Sequence, residues 1–461
     1  MTRQPFQDTV AALSTPPGKG GVALIRLCGE EAIEIAGACF RAKNEKDISL
    51  FPSRLAVYGN FYYQGEPVDD VLLTVFRAPH SYTGEDTVEI ACHGSMLICR
   101  TILEALYSKG ARPAQKGEFT RRAFLAGKIN LTEAEAIAEL LDAQNREQIK
   151  LFQQDSRSHL SLALASLYEG ISSLLSAVYA KVDYPDEDLA ELSREEILSS
   201  LEELMEKTER LCHSYKTGRA VAEGIYTVLL GKPNTGKSSL YNLLAGKDAA
   251  IVTEYAGTTR DILEVSLSLG RVLLRLADTA GVRETDNPVE KIGVEKAKDA
   301  ARSAELILML FDTSSPFDEE DEAMLAFAKK TKAVKIALLN KSDLPALWDA
   351  SRLGEGFAHI LPISAKKGDT DALCACVDAL FTDGSLQIGE DAIVFTARQF
   401  AALERAKEMM QNAKRGLAAG FAEDAALCEL EAAAVALAET DGRAVSEDIV
   451  SGIFSKFCVG K

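Results

Sequence analysis

Residues 231–239 read Gly231-Lys232-Pro233-Asn234-Thr235-Gly236-Lys237-Ser238-Ser239, with the apolar run Ile225 to Leu230 before them and the helical pattern Leu240-Tyr241-Asn242-Leu243-Leu244 after them. A G-x-x-x-x-G-K-S spacing between a strand and a helix is a phosphate-binding loop. Its glycines let the backbone bend around a polyphosphate, and successive N–H groups from Asn234 to Ser239 point at the oxygens. Lys237 reaches the β and γ phosphates, and the Ser238 hydroxyl suits Mg2+.

Three later stretches say which nucleotide. Asn340-Lys341-Ser342-Asp343 ends the apolar run Val334 to Leu339, and the Asp343 carboxylate suits the N1–H and 2-amino donors that guanine has and adenine lacks. Ser364-Ala365-Lys366 follows the run His359 to Ile363, where a backbone N–H can donate to the guanine O6. Asp278-Thr279-Ala280-Gly281 closes the run Val272 to Ala277, bringing a carboxylate near Mg2+ and the Gly281 N–H toward a γ-phosphate. Four motifs in this order predict a GTPase domain of the Ras-like, doubly wound α/β kind.

At 461 residues the chain is long enough for two or three domains, and 47% hydrophobic with 26% charged residues suits globular ones. No apolar run is seen to approach the roughly 18–20 residues of a membrane span, and Met1-Thr2-Arg3-Gln4 leads into no signal segment, so a cytoplasmic protein without a membrane role is expected. Nine irregularly spaced cysteines argue against a disulfide framework, and Cys374 and Cys376 point to different sides of a helical pattern, which disfavours zinc. The formal charge of −18 counts against a protein that coats nucleic acid broadly. A local excess remains between Arg100 and Lys128, where seven basic residues (Arg100, Lys109, Arg112, Lys116, Arg121, Arg122, Lys128) face Glu104 and Glu118. That stretch is either a solvated face or an RNA contact.

Along the chain, residues 1–125 alternate short apolar runs (Val22 to Leu27, Val71 to Phe76, Val88 to Cys92) with helical patterns, an α+β layout. Two charges interrupt these strands, Arg26 and Glu89; they pair with each other or face solvent. Residues 126–222 read as helices, with capping boxes expected at Thr132/Glu135 and Ser193/Glu196. The GTPase domain spans 223–384, and 385–461 is helical again. These late helices are expected beside the earlier ones, so the fold class is a multidomain α/β plus α+β chain: an N-terminal α+β domain, a discontinuous all-helical domain and an inserted P-loop domain.

The GTPase motifs in this frame, with Thr15-Pro16-Pro17-Gly18-Lys19-Gly20-Gly21 at one end and Phe457-Cys458-Val459-Gly460-Lys461 at the other, closely resemble the MnmE (TrmE) family of tRNA-modification GTPases. Lys19 stands where Arg is usual and Val459 where Ile is usual. The resemblance implies an N-terminal tetrahydrofolate-binding and dimerising domain, so a homodimer, and a flavin-dependent partner, MnmG (GidA). Together they would install an aminomethyl or carboxymethylaminomethyl group at C5 of the wobble uridine of certain tRNAs. The one-carbon unit would come from a tetrahydrofolate derivative, 5,10-methylene- or 5-formyl-tetrahydrofolate. On matching positions folate would meet Arg26, Glu89, Lys128 and Lys461, with Cys458 functionally important close by. A pterin carries the same 2-amino-4-oxo edge as guanine, so Glu89 can read it as Asp343 reads guanine.

The residue after Asp-Thr-Ala-Gly is Val282, which cannot orient water as the Gln of many small GTPases does. The resemblance implies a K+ ion instead, held by Asn234 and by the loop Thr253-Glu254-Tyr255-Ala256-Gly257-Thr258, with Thr253, Tyr255 and Thr258 as donors. Thr259 would join Ser238 and Asp278 at Mg2+, and Glu290 would orient the attacking water. Two other functions share these motifs: a regulatory GTPase without modification chemistry, and a folate-dependent transferase acting on another substrate.

Overall fold

The structure is a computed structural model, which describes residues 8–153, 159–183, 193–247, 265–276, 298–368, 370–422 and 424–461. The chain divides into two compact units, one formed by the N-terminal part to Leu141 together with Ala434–Lys461, the other by Asp142–Ala433. Residues 385–461, expected as one helical segment, are thus shared between the units.

The first unit is built on a seven-stranded sheet. Its strands are β1 (Val10–Leu13), β2 (Gly20–Cys28), β3 (Phe40–Ala42), β4 (Ala56–Tyr63), β5 (Glu66–Phe76), β6 (Thr87–Gly94) and β7 (Arg112–Pro113), in the order β3-β4-β5-β6-β2-β1-β7. Alternate residues such as Ile25, Leu27, Leu73, Val75, Val88 and Ile90 face inward and form one core with the helices Ala32–Cys39 and Met96–Ser108. The intervening residues of four strands line the other face. There Tyr58, Leu72, Ala91 and Leu24 stand in one cross-strand row, with Thr74, Glu89 and Arg26 in the next.

Arg122, on the helix Glu118–Leu125, is a long side chain with 0% of its surface exposed. Its guanidinium donates to Asp8 at 2.8 Å, Glu85 at 2.9 Å and Glu118 at 2.9 Å. Arg112 adds bonds of 2.9 and 2.6 Å to the same Glu118 carboxylate. Burial works against the charge on Glu118, but the two arginines outweigh it and hold its carboxyl below the ordinary value.

The last residues of the chain dock on this helix. Backbone N–H groups of Gly117 and Phe119 donate to the carbonyls of Cys458 (3.3 Å) and Lys461 (3.2 Å), and Lys116 bridges Val459. Gly460 has φ of +98°, and a Cβ there would stand 2.2 Å from the Leu13 carbonyl oxygen, so no other residue fits. The helix Glu447–Phe454 packs beside Leu131–Leu141, where Phe124, Leu131, Val450, Phe454 and Phe457 share a small core. The Leu131–Leu141 helix is capped differently from expectation. Asn130 and Glu133 exchange bonds of 2.8 Å, while the Thr132 hydroxyl donates to the Thr440 carbonyl instead. Asn is the better N-cap, and its box sets the start of the helix two residues earlier.

The second unit joins helices to a six-stranded sheet. The strands are β8 (Ile225–Leu230), β9 (Val265–Leu269), β10 (Val272–Leu276), β11 (Leu306–Asp312), β12 (Val334–Asn340) and β13 (His359–Pro362), in the order β13-β12-β11-β8-β10-β9. All pairs are parallel except β9 with β10. The chain leaves β8 for β10 on one side and β11 on the other, so the phosphate-binding loop lies at the topological switch point, where such sheets hold ligands.

The helix Arg194–Ala222 opens with the expected Ser193/Glu196 capping box and runs beside Ala397–Ala418. Lys407 meets Glu209 at 2.8 Å, Lys414 meets Glu202 at 2.7 Å, and Tyr215 stacks on Phe400 at 4.4 Å. At and just beyond the C-terminal end of the nucleotide domain, Asp383 N–H donates to Thr217 Oγ1 at 2.8 Å and Val394 N–H to Ser214 Oγ at 3.0 Å. The exit of that domain is therefore fastened to the helix that leads into it. Contrary to the expectation for apolar runs, the stretch His159–Ala180, of mean hydropathy 1.3, is long and apolar enough to cross a membrane by length and composition. Its buried Leu164, Leu167, Ile171, Leu174 and Val178 recur every three to four residues, the spacing of a helix with one packed face.

Replacing Arg122 with Met would leave Glu85 without its cation and Asp8 and Glu118 sharing Arg112 alone, and denaturant titration should show a loss of about 3–5 kcal/mol. The Glu118 contribution is fully present above its ordinary pKa of 4.5 and is lost as pH falls through the depressed native value. In the Glu118→Gln protein that acid-side dependence of the melting temperature should be shallower.

Candidate functional site

Ile225, Val228, Leu229 and Leu230 of β8 are buried on the two faces of the sheet, and the strand delivers the loop 231–236 to its edge. Asn234 adopts a left-handed φ of +61°, which Asn tolerates better than most residues. Gly236 follows with φ of +98°, and a Cβ on it would fall 2.1 Å from Asn340 Nδ2. Lys237, first residue of the helix Lys237–Lys247, donates to the carbonyls of Gly231 and Lys232 at 2.8 Å each. The ammonium is thereby held over the loop, and the first turn of the helix directs its N–H groups to the same place. The side chains of Asn234 and Ser238 have no hydrogen-bond partner among the described residues, leaving both oxygens available to a cation.

Asn340, at the end of β12 and 2% exposed, ties the two halves of the site together. Its amide donates to the Thr235 carbonyl at 2.8 Å, and its oxygen accepts the Ala365 N–H at 3.1 Å. Ser364 donates to Asp343 Oδ1 at 2.7 Å, a bond that aims the carboxylate and lowers its pKa. Lys341, at φ of +60°, reaches Asp312 at 2.6 Å. Every motif residue of the phosphate loop and of the two guanine motifs thus comes to the same end of the parallel sheet. Lys366 is exposed there. The expected residues Thr253, Glu254, Tyr255, Ala256, Gly257, Thr258, Thr259, Asp278, Thr279, Ala280, Gly281, Val282 and Glu290 lie outside the described residues.

Sequence reasoning missed the residues behind the loop. Lys232 reaches Asp318 at 2.8 Å and Asp321 at 2.7 Å, at the start of the helix Glu319–Lys329. The signal was legible only as a lysine in the loop and an Asp-rich helix start 86 residues on.

In the first unit Arg26 and Glu89 do pair, through bonds of 3.1 and 2.8 Å to Glu89 Oε1. Of the two alternatives the sequence left open, the structure therefore realises the ion pair. The second oxygen of Glu89 stays without a hydrogen bond among the described residues, and the side chain is 24% exposed. The Arg26 guanidinium lies over the rings of Tyr82 (5.9 Å) and Phe119 (5.5 Å). The Phe119 N–H is the donor to Lys461, so Arg26, Glu89 and the chain's last residue share one neighbourhood. Lys128 donates to the Pro79 carbonyl, on the loop that also carries Tyr82. Cys458 is exposed.

Within the basic stretch Arg100 to Lys128 the four arginines are engaged by acids. Arg122 is buried, Arg112 serves Asp8 and Glu118, Arg121 serves Glu447, and Arg100 serves Glu104. Tertiary acids from residues 8, 85 and 447 offset part of the excess that local counting found. For the nucleotide site, Ser364→Ala should weaken GDP binding by about 2- to 10-fold, the worth of one hydrogen bond, measured by calorimetry on the folded protein.

The family model "GTP-binding protein TrmE N-terminus" matches residues 9–128, and the model "MnmE helical domain" matches residues 131–458. The tRNA modification GTPase MnmE of Thermoanaerobacter pseudethanolicus is 38% identical over 98% of this chain and 99% of its own. That of Geobacillus thermodenitrificans is 38% identical over 98% and 99%, and that of Clostridioides difficile 35% identical over 99% and 100%. Among solved structures, Aquifex aeolicus Era bound to GDP.AlF4- is 27% identical over 41% of this chain and 67% of that one, with a TM-score of 0.27. With full-length relatives of this kind and both family models matched, the chain belongs to the MnmE (TrmE) family of tRNA modification GTPases.

Proposed function

We propose that this GTPase works with a flavin-dependent partner, MnmG (GidA), to add an aminomethyl or carboxymethylaminomethyl group to C5 of the wobble uridine of certain tRNAs. The observation that carries the reading is the meeting of Arg26, Glu89 and the docked Val459–Lys461 segment in one neighbourhood of the first unit. A pure GTPase switch has no use for such a cluster. The oxygen of Glu89 left without a hydrogen bond among the described residues suits the adjacent N–H donors of a pterin, while Arg26 engages the other oxygen. Lys128 and Lys461 supply cations for the glutamate end of a tetrahydrofolate derivative. When bound, the folate supplies the one-carbon unit; the chain's own residues orient it and place the exposed Cys458 close to it.

In the GTPase domain, Lys237 and the N–H groups of residues 234–239 bind the phosphates, and Asp343, aimed by Ser364, selects guanine. The unengaged Ser238 hydroxyl fits Mg2+ with Thr259 and Asp278, and the unengaged Asn234 carboxamide fits K+ with the loop 253–258. The K+ would supply the positive charge that an arginine finger supplies elsewhere, and Glu290 would orient the water. The exposed Tyr58 and Leu72, which stand in one cross-strand row, give the first unit an apolar face that supports a homodimer through it.

Mass spectrometry of tRNA nucleosides from a deletion strain should show loss of the C5-modified wobble uridines; normal levels would overturn the proposal in favour of a regulatory GTPase or another transferase. Calorimetry with 5-formyltetrahydrofolate addresses the pocket itself. Glu89→Gln keeps the shape but loses the charged acceptor, so affinity should fall by about 1.5–3 kcal/mol.

A further inference from the structure

We infer that Lys232 is a positioning residue of the GTP site, acting through Asp318 and Asp321 to hold the phosphate-binding loop in its binding form. The inference rests on the reading of that loop as the GTP site and goes beyond it, because Lys232 lies behind the phosphates. Its ammonium is turned away from the ligand side, to Asp318 Oδ2 (2.8 Å), Asp321 Oδ2 (2.7 Å) and the Pro316 carbonyl (3.4 Å).

The anchor it grips is stiff. Asp318 and Asp321 form a reciprocal capping box that starts the helix Glu319–Lys329, and Asp321 is only 4% exposed. A carboxylate so buried requires a cation, and Lys232, with a side chain 13% exposed, is the one it has among the described residues. Burial acts against the Lys232 charge, yet the two carboxylates outweigh it and raise its pKa.

The other end of Lys232 faces the chemistry. Its carbonyl accepts both the Lys237 ammonium (2.8 Å) and the Thr235 hydroxyl (2.9 Å). The Thr235 carbonyl in turn accepts from Asn340, which also holds Ala365. One residue therefore joins a rigid helix, the phosphate-binding lysine and both guanine motifs. Asn234, two residues on, sits in the left-handed region, a conformation that persists only where the surroundings over-determine it. Without the Lys232 anchor the carbonyl that aims Lys237 is free to move.

The test uses the full-length protein and a fluorescent GDP analogue, with release rate, affinity, GTP turnover and thermal midpoint measured together. Lys232→Met should release GDP faster by about 10- to 100-fold, the range expected for one charge-assisted hydrogen bond. The loss should appear in KM, with kcat at saturating GTP changed by less than about threefold, because the anchor acts on the loop and not on the transferred group. Lys232→Arg, whose guanidinium can span two carboxylates, should restore slow release. Lys232→Met leaves Asp321 uncompensated and can unfold the domain, so the double variant Lys232→Met/Asp321→Asn is measured beside it; it keeps an acceptor at 321 without the charge. Fast GDP release from that double variant at a wild-type thermal midpoint supports the positioning role. Wild-type release from it would overturn the role and leave Lys232 a structural pin, whereas a wild-type protein that binds no GDP would sink the nucleotide-site reading instead.

Discussion

The first unit depends on one buried cation. Arg122 cannot be solvated where it stands, so Asp8, Glu85 and Glu118 must all be in place before the charge is tolerable. These acids come from the lead into β1, from the loop before β6 and from the arginine's own helix. Satisfying them fixes the helix Glu118–Leu125, whose Phe119 ring lies under Arg26 and whose N-terminal turn receives the carbonyls of Cys458 and Lys461. The network adds little net stability against an apolar core of similar volume; what it does is forbid alternatives, because each displaced acid would leave a buried charge unmatched. Precision at the Arg26–Glu89 neighbourhood follows from that constraint.

The second unit solves a similar problem with one neutral amide and one ion pair. Asn340 gives one donor to the phosphate loop and one acceptor to the guanine loop, and Lys232 fixes the same loop from behind. Nucleotide-binding backbone must stay unpaired on its ligand side, so it has few bonds of its own to hold its shape. Rigidity comes instead from side chains that reach in from β12 and from the helix Glu319–Lys329. The chain leaving the domain is fastened to the helix Arg194–Ala222 that enters it, through Thr217 and Ser214.

The GTPase site was legible because its chemistry is local: each motif is a short contiguous run whose spacing is set by the reach of backbone N–H groups around phosphate. Asn234, Lys237, Asn340, Asp343 and Ser364 were all read this way, and the fold brings them to one end of the sheet. The strand pattern of the first unit was legible from alternation, as were the Ser193 cap and the long late helix that opens at Thr396. Asn130, as the true cap of the Leu131–Leu141 helix, was overlooked because Thr132 with Glu135 offers the same spacing two residues later, and only packing of Thr132 onto the Thr440 carbonyl removes it from competition.

By itself the sequence determined the order of the motifs, the periodicity of strands and helices, and the family to which they belong, since these depend on residues adjacent or a few positions apart. The tertiary structure alone decided the fate of the charges. Seven basic residues between Arg100 and Lys128 look like a free patch when counted along the chain, yet Arg112, Arg121 and Arg122 are matched by acids as far away as Asp8 and Glu447. It likewise decided that Lys232 grips Asp321 and that Lys461 lies against Phe119. A charge interacts with whatever the fold brings within a few ångströms, and separation along the chain carries no information about that distance.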